Sequence, residues 1–174
     1  YKRQCVYADA VTIQQIQGTG DTSPIEGSLV VTSGIVTGVS YSGFFIQNGT
    51  GPWSGLWIYI SSPSVQVGDQ VQVSGEVAEY NGLTEIVAST FVVISSGNEL
   101  PEAELISTGS LSEQYEGVRV KLTNAVCIES PNDYGEWSVD DGSGIAQIDD
   151  RLSEPEVDIY NLSLIHISEP TRPE

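Results

Sequence analysis

Asp140, Asp141, Asp149 and Asp150 form the one dense carboxylate cluster in this sequence. Carboxylates gathered so closely suit a hard divalent cation such as calcium, or the activation of water beside one. Hydrolysis at such a centre usually also needs a His or Asn partner, and the chain's one histidine, His166, lies in a C-terminal run set aside below. No catalytic residue is therefore assigned. Asp140-Asp141-Gly142-Ser143-Gly144 is turn chemistry without EF-hand ligand spacing. Asp149 and Asp150 are expected to return to the mouth of that turn across a hairpin. A cation site and a solvated acidic turn both fit this pattern.

A second constellation is aromatic. If Leu56, Ile58 and Ile60 face a core, then Trp57 and Tyr59 face outward by strand alternation, and Phe45 and Gln47 point out from the neighbouring strand. Phe45, Trp57 and Tyr59 would form a platform, rimmed by Trp53 in the preceding loop and Tyr80 in a later turn. Planar rings on such a face stack on bases for roughly 1–3 kcal/mol each. The same rings also suit packing against another part of the chain, or a glycan held by Trp53, Trp57 and Tyr59.

Charge limits what that platform can bind. No Lys or Arg lies between Arg3 and Arg119, and the 174-residue chain carries a formal net charge of -18. Phosphate binding normally rests on Lys and Arg that release counterions, so tight electrostatic binding of nucleic acid is excluded for this segment. An acidic surface favours solubility and cation binding. Arg119 and Lys121 alternate on one strand face among Glu113, Glu116 and Glu129, a setting for pairing or for solubility.

The elements that must position these residues are strands. Alternation and β-branched runs pick out 28–39, with Leu29, Val31, Ile35 and Val39 on one face, then 43–48, with Phe44 and Ile46 inward, and 55–61. A fourth strand carries Val71, Val73 and Val77, and a fifth runs over 83–94. Tyr80-Asn81-Gly82 supplies the tight turn between those two. Gly34, Gly38 and Gly75 permit sharp bends, and a long first strand followed by four more fits an all-β, OB-fold-like Greek-key barrel. Residues 63–68 leave no room for the helix that many such barrels place between strands three and four.

An internal repeat sets the domain count. Tyr41 to Gly51 matches Tyr134 to Gly144 without a gap, and Glu26-Gly27 before an apolar strand matches Glu116-Gly117 before Val118, Val120 and Leu122. The expected organisation is an N-terminal segment over 1–22, a first barrel over 23–96 and a linker over 97–113. A second OB-like module follows over 114–162, cut short because nothing after 150 resembles the fourth-strand run Val67 to Gly75. Residues 163–174 resemble a translated sequencing-adapter remnant, and the absence of Met reads as a fragment or a processed product. No apolar run is long enough to span a bilayer. Cys5 and Cys127 suit either free thiols or an extracellular disulfide.

With both copies laid out, the chain resembles the OB-fold modules of bacterial secreted and cell-wall nucleases of the YhcR-like type. The resemblance rests on Ile13 to Gly20 with Ser23-Pro24, on Gly43 to Gln47, on Val67 to Val77, on Tyr115-Glu116-Gly117, on Gly135 to Gly144 and on Asp149-Asp150. It implies an extracellular or cell-surface bacterial protein in which such modules precede an endonuclease/exonuclease/phosphatase-type domain. It also implies DNA or RNA as partner, which the lack of basic residues makes weakly held and the aromatic platform suits as a single strand. A structural or protein-docking cell-surface module, stabilised by calcium, is the competing expectation.

Overall fold

The computed structural model describes residues 9–133, 135–149 and 152. The chain begins with β1 (Asp9–Ala10) and a short helix α1 (Ile13–Gln17), followed by β2 (Leu29–Ser40), β3 (Gly43–Gln47), β4 (Gly55–Tyr59), β5 (Gln70–Tyr80) and β6 (Leu83–Ser95). β2 pairs antiparallel with both β3 and β5, β4 pairs antiparallel with β3 and parallel with β6, and β6 returns antiparallel to β5. These pairings close β2, β3, β4, β6 and β5 into one OB-type barrel, as expected from the alternation. The β5–β6 turn holds Asn81 at φ 52° and Gly82 at φ 86°, the left-handed backbone that Asn-Gly accepts readily.

The barrel interior is apolar: Phe44, Ile46, Leu56, Ile58, Val71, Val73, Val77 and Ile86 are fully buried together. β2 corrects the expected face. Val30, Thr32 and Val36 point inward, whereas Leu29 is exposed and Val31 and Ile35 are half-buried. Apolar residues occupy both parities of this strand, so alternation does not choose between its faces. A bulge between Val36 and Gly38 then shifts the parity and brings Val39 against the core.

No helix fills the connection between β4 and β5, but α1 takes over the task of closing the barrel. Thr12 caps it: its hydroxyl accepts from the Gln15 amide while the Gln15 side chain accepts from the Thr12 amide. Ile13 and Ile16 are thereby driven into the barrel core with no residual exposure. Residues 9–17 are thus part of the barrel: Asp9 and Ala10 pair with β2, and Ile13 and Ile16 sit in its core. A helix this short depends on that burial for its existence.

After the barrel come β7 (Glu104–Leu105), β8 (Val120–Lys121), β9 (Val126–Glu129), β10 (Glu136–Asp140) and β11 (Ile145–Asp149). β9, β10 and β11 form an antiparallel meander in the order of the barrel's β2, β3 and β4, over a small core of Leu122, Trp137, Val139, Ala146 and Ile148. β10 falls where the repeat with β3 places it. β8 pairs in parallel with β7, so the connecting segment adds a strand of its own. Cys127 is a free, exposed thiol, and Cys5, His166 and Asp150 lie outside the described residues.

Residues 113–119 run from one module onto the other. Gly117, at φ 65°, lies against Gly55 so closely that a Cβ on Gly55 would meet the Gly117 carbonyl at 2.1 Å. The Trp53 amide donates to the Gln114 carbonyl at 2.7 Å, and the Arg119 amide to Gln47 Oε1 at 3.0 Å. Glu116 is buried at the centre of this contact. Its Oε1 accepts from the Thr84 amide and from Gln17 Nε2, both at 3.1 Å, while its Oε2 has no hydrogen-bond partner among the described residues. Burial pushes the Glu116 carboxyl up from 4.5 to about 8; Gln17 and Thr84 oppose the shift, and Glu113 and Glu79 add to it.

Two consequences are testable. Ile16→Ala should cost about 2–5 kcal/mol in urea unfolding; an unchanged midpoint would mean that the first helix lies outside the cooperative unit. For Glu116, the folded state holds its proton above the pH at which the unfolded chain releases it. The resulting stabilisation is complete below pH 4.5 and is lost as pH rises through about 8. Glu116→Gln should remove most of that slope and leave the protein more stable than the parent at pH 8, by on the order of 3 kcal/mol. Parallel stability–pH curves for the two proteins would show that Glu116 is not the titrating group.

Candidate nucleic-acid interface

One row of cross-strand partners crosses the outer face of the barrel: Phe45 on β3, Trp57 on β4 and Glu85 on β6. The next row is Gly43, Tyr59 and Val87. Because Gly43 has no side chain, the Trp57 ring lies over it; a Cβ there would approach indole Cζ2 to 2.6 Å. Trp57 also packs against Phe45, with ring centroids 4.6 Å apart. These rows floor a groove of about 480 Å³, walled by Tyr59 and Tyr80 and reached by Asp149 of β11. Ser40 and Ser42, flanking the β2–β3 turn, add hydroxyls at its edge.

Four of the expected platform residues therefore come together: Phe45, Trp57, Tyr59 and Tyr80 all line this groove. Their exposures divide the work. Phe45 and Trp57 are 6 % and 8 % exposed, a packed floor, whereas Tyr59 at 46 % and Tyr80 at 64 % offer ring surface to solvent. The other two part from them. Gln47 is fully buried, although it points away from the barrel core as expected: its amide donates to the Gly49 carbonyl and Ser54 Oγ, and its Oε1 takes the Arg119 amide. Trp53, in the loop before β4 at φ 62°, is half-buried and sits beside Gln114 at the covered end. The docking of residues 113–119 makes the difference: it covers the Gln47–Gly55 end of the two strands and leaves the Gly43–Tyr59 end open.

Among the described residues, Asp140, Asp141 and Asp149 of the acidic constellation are not gathered into one group, and Asp150 lies outside them. Residues 141–144 form the β10–β11 turn, while Asp149 pairs with Glu136 four residues further along, about 13 Å from the turn at strand rise. Asp140 Oδ1 accepts the Gly142 and Gly144 amides. Asp141 takes the Ser143 hydroxyl and amide together with the Thr108 hydroxyl and amide, and these donors hold its carboxyl far below the ordinary value. It pins the 108–110 turn to the hairpin. Among the described residues no group of three His, Cys, Asp or Glu side chains is placed to hold a metal ion.

Arg119 and Lys121 form no patch, since Lys121 is exposed while Arg119 is buried and donates through Nη1 to the Pro101 carbonyl. Glu85 is the groove residue that the aromatic pattern leaves out. Its signal was available: Leu83, Glu85 and Val87 share the outward parity of β6 opposite the inward Ile86. Among the described residues no helix is long and apolar enough to cross a membrane.

No family model matches the chain. A curated relative, endonuclease YhcR of Bacillus subtilis, is 36% identical over 126 residues, which cover 65% of this chain and 10% of that protein. The chain thus spans about a tenth of that relative's length. Solved structures similar to it include the S. pombe Stn1–Ten1 complex, with TM-score 0.39, 14% identity, and coverage of 52% of this chain and 80% of that one. Another is the hypothetical protein YgiW from E. coli, with TM-score 0.38, 16% identity, and coverage of 52% and 100%.

Proposed function

We propose that this chain is a non-catalytic, nucleic-acid-binding OB-fold region that positions single-stranded substrate for the catalytic domain of a larger secreted bacterial nuclease. The observation that carries this reading is the aromatic groove on the β3–β4 face, with Tyr80 from the β5–β6 turn at its wall. Open ring faces of Tyr59 and Tyr80 beside a Phe45–Trp57 floor suit unstacked bases. The identity to part of YhcR supports the nuclease context. Handling of extracellular nucleic acid by a bacterial nuclease also accords with the acidic, soluble surface of the chain.

The charge distribution sets the strength of binding. Among the described residues, Glu85 and Asp149 are the charged side chains that line the groove. Two stacked bases supply roughly 2–6 kcal/mol, which corresponds to a Kd between about tens of millimolar and about tens of micromolar unless a neighbouring domain contributes. Binding of this kind releases few counterions, so its salt dependence is shallow.

Titration of the chain with short single-stranded DNA, followed by tryptophan fluorescence and chemical-shift change, should show weak saturable binding that changes little between low and moderate salt. Tyr59→Ala with Tyr80→Ala, both at exposed positions, should weaken it by about tenfold or more. Absence of any spectral change with DNA or RNA would instead fit a surface spacer or a protein-docking module.

A further inference from the structure

Glu85 is an unusual residue to find on the floor of an aromatic groove. It is 6 % exposed, it borders the cavity, and among the described residues its carboxylate accepts no hydrogen bond. Its neighbours behave otherwise. Glu79 Oε1 takes the Ser23 amide and the Thr84 hydroxyl, and Glu116 takes the Thr84 amide and Gln17, so nearby donors are spent on other acids. Burial, and then the charge of Glu79, raise the Glu85 carboxyl above the ordinary value. With no donor from the protein, the Glu85 carboxylate oxygens stay open to the groove and are not sealed inside the fold.

Resting on the nucleic-acid reading above, we infer that Glu85 is a base-selecting residue and that the groove takes an unstacked guanine. The argument is one of matching chemistry. An ionised carboxylate only accepts, through two oxygens side by side. Guanine presents two adjacent donors on its pairing edge, the ring N1–H and the exocyclic amine; thymine and uracil present one donor between two carbonyls that a carboxylate repels. Cytosine and adenine offer a single amine beside an acceptor nitrogen. Two parallel N–H to carboxylate bonds form with guanine alone, and charge assistance makes them the strong kind.

The register places this acceptor where a stacked base would present its edge. Glu85 is the cross-strand neighbour of Trp57 on the parallel β4–β6 pair, and Tyr59 and Val87 form the adjacent row. A ring laid on Tyr59 and the Trp57 edge points its rim across β4 toward β6. Asp149, which also lines the cavity, disfavours a phosphate there, so the base enters and the backbone stays outside. Selection by edge recognition without phosphate contact gives a weak but discriminating site.

The test uses the whole chain and short oligothymidylates carrying one central deoxyguanosine, deoxyinosine or deoxythymidine. Deoxyinosine keeps the ring N1–H and lacks the amine. The guanine strand should bind about tenfold tighter than the all-thymine strand, with inosine in between. Glu85→Gln should fold, since it removes a buried charge, and should abolish the preference while leaving thymine binding within about twofold; Glu85→Ala should do the same. Equal binding of all strands by the parent, or a preference that survives both substitutions, would overturn the role of Glu85 while leaving the groove as a stacking site. No binding of any strand would overturn both the base selection and the reading beneath it.

Discussion

The close approach of Gly117 to Gly55 is the contact on which the rest of the molecule depends. Two glycines facing each other let one backbone lie on another, and a side chain at either would push the second module off the barrel. Around that contact the polar groups are satisfied across the junction: Gln47 to Arg119, Trp53 to Gln114, and Gln17 and Thr84 to Glu116. Half of the outer β3–β4 face becomes interior. The remaining half is an aromatic groove walled by Tyr59 and Tyr80 and bordered by Asp149 of β11, so the same docking event that buries Gln47 completes the candidate site.

Electrostatics shape this arrangement twice. Glu116 enters the junction at the cost of desolvation, and its carboxyl rises to about 8 because the two donors beside it do not repay that cost. On the open half, Glu85 accepts no hydrogen bond among the described residues and borders the groove, next to rings that offer stacking and no charge. A chain with a net charge of -18 and no basic residue between Arg3 and Arg119 cannot attract phosphate along this barrel.

Much of this was legible in residue order, for physical reasons that also explain the rest. Strands with apolar residues on one parity, such as Val71, Val73 and Val77, declare their inward face; β2, apolar on both, does not. The helix over Ile13–Gln17 is too short for periodicity to register, although Thr12 and Gln15 spell its capping box. Phe45, Trp57, Tyr59 and Tyr80 were identifiable because outward aromatics on adjacent strands must meet. Gln47 was placed on the correct side of its strand, but outward from one barrel turned out to be inward to the junction with another. The long-range contact between Gly55 and Gly117 has no local signature, and it alone decides which outward residues see solvent.

Amide hydrogen exchange tests that junction most directly. If residues 113–119 are packed on the barrel as described, the Trp53 and Arg119 amides, which donate across the junction, should exchange as slowly as interior amides of β5 such as that of Val73. Exchange of Trp53 and Arg119 at the rate of an unstructured peptide, while β5 stays protected, would show that the second module does not dock, and the groove would lose its Asp149 border.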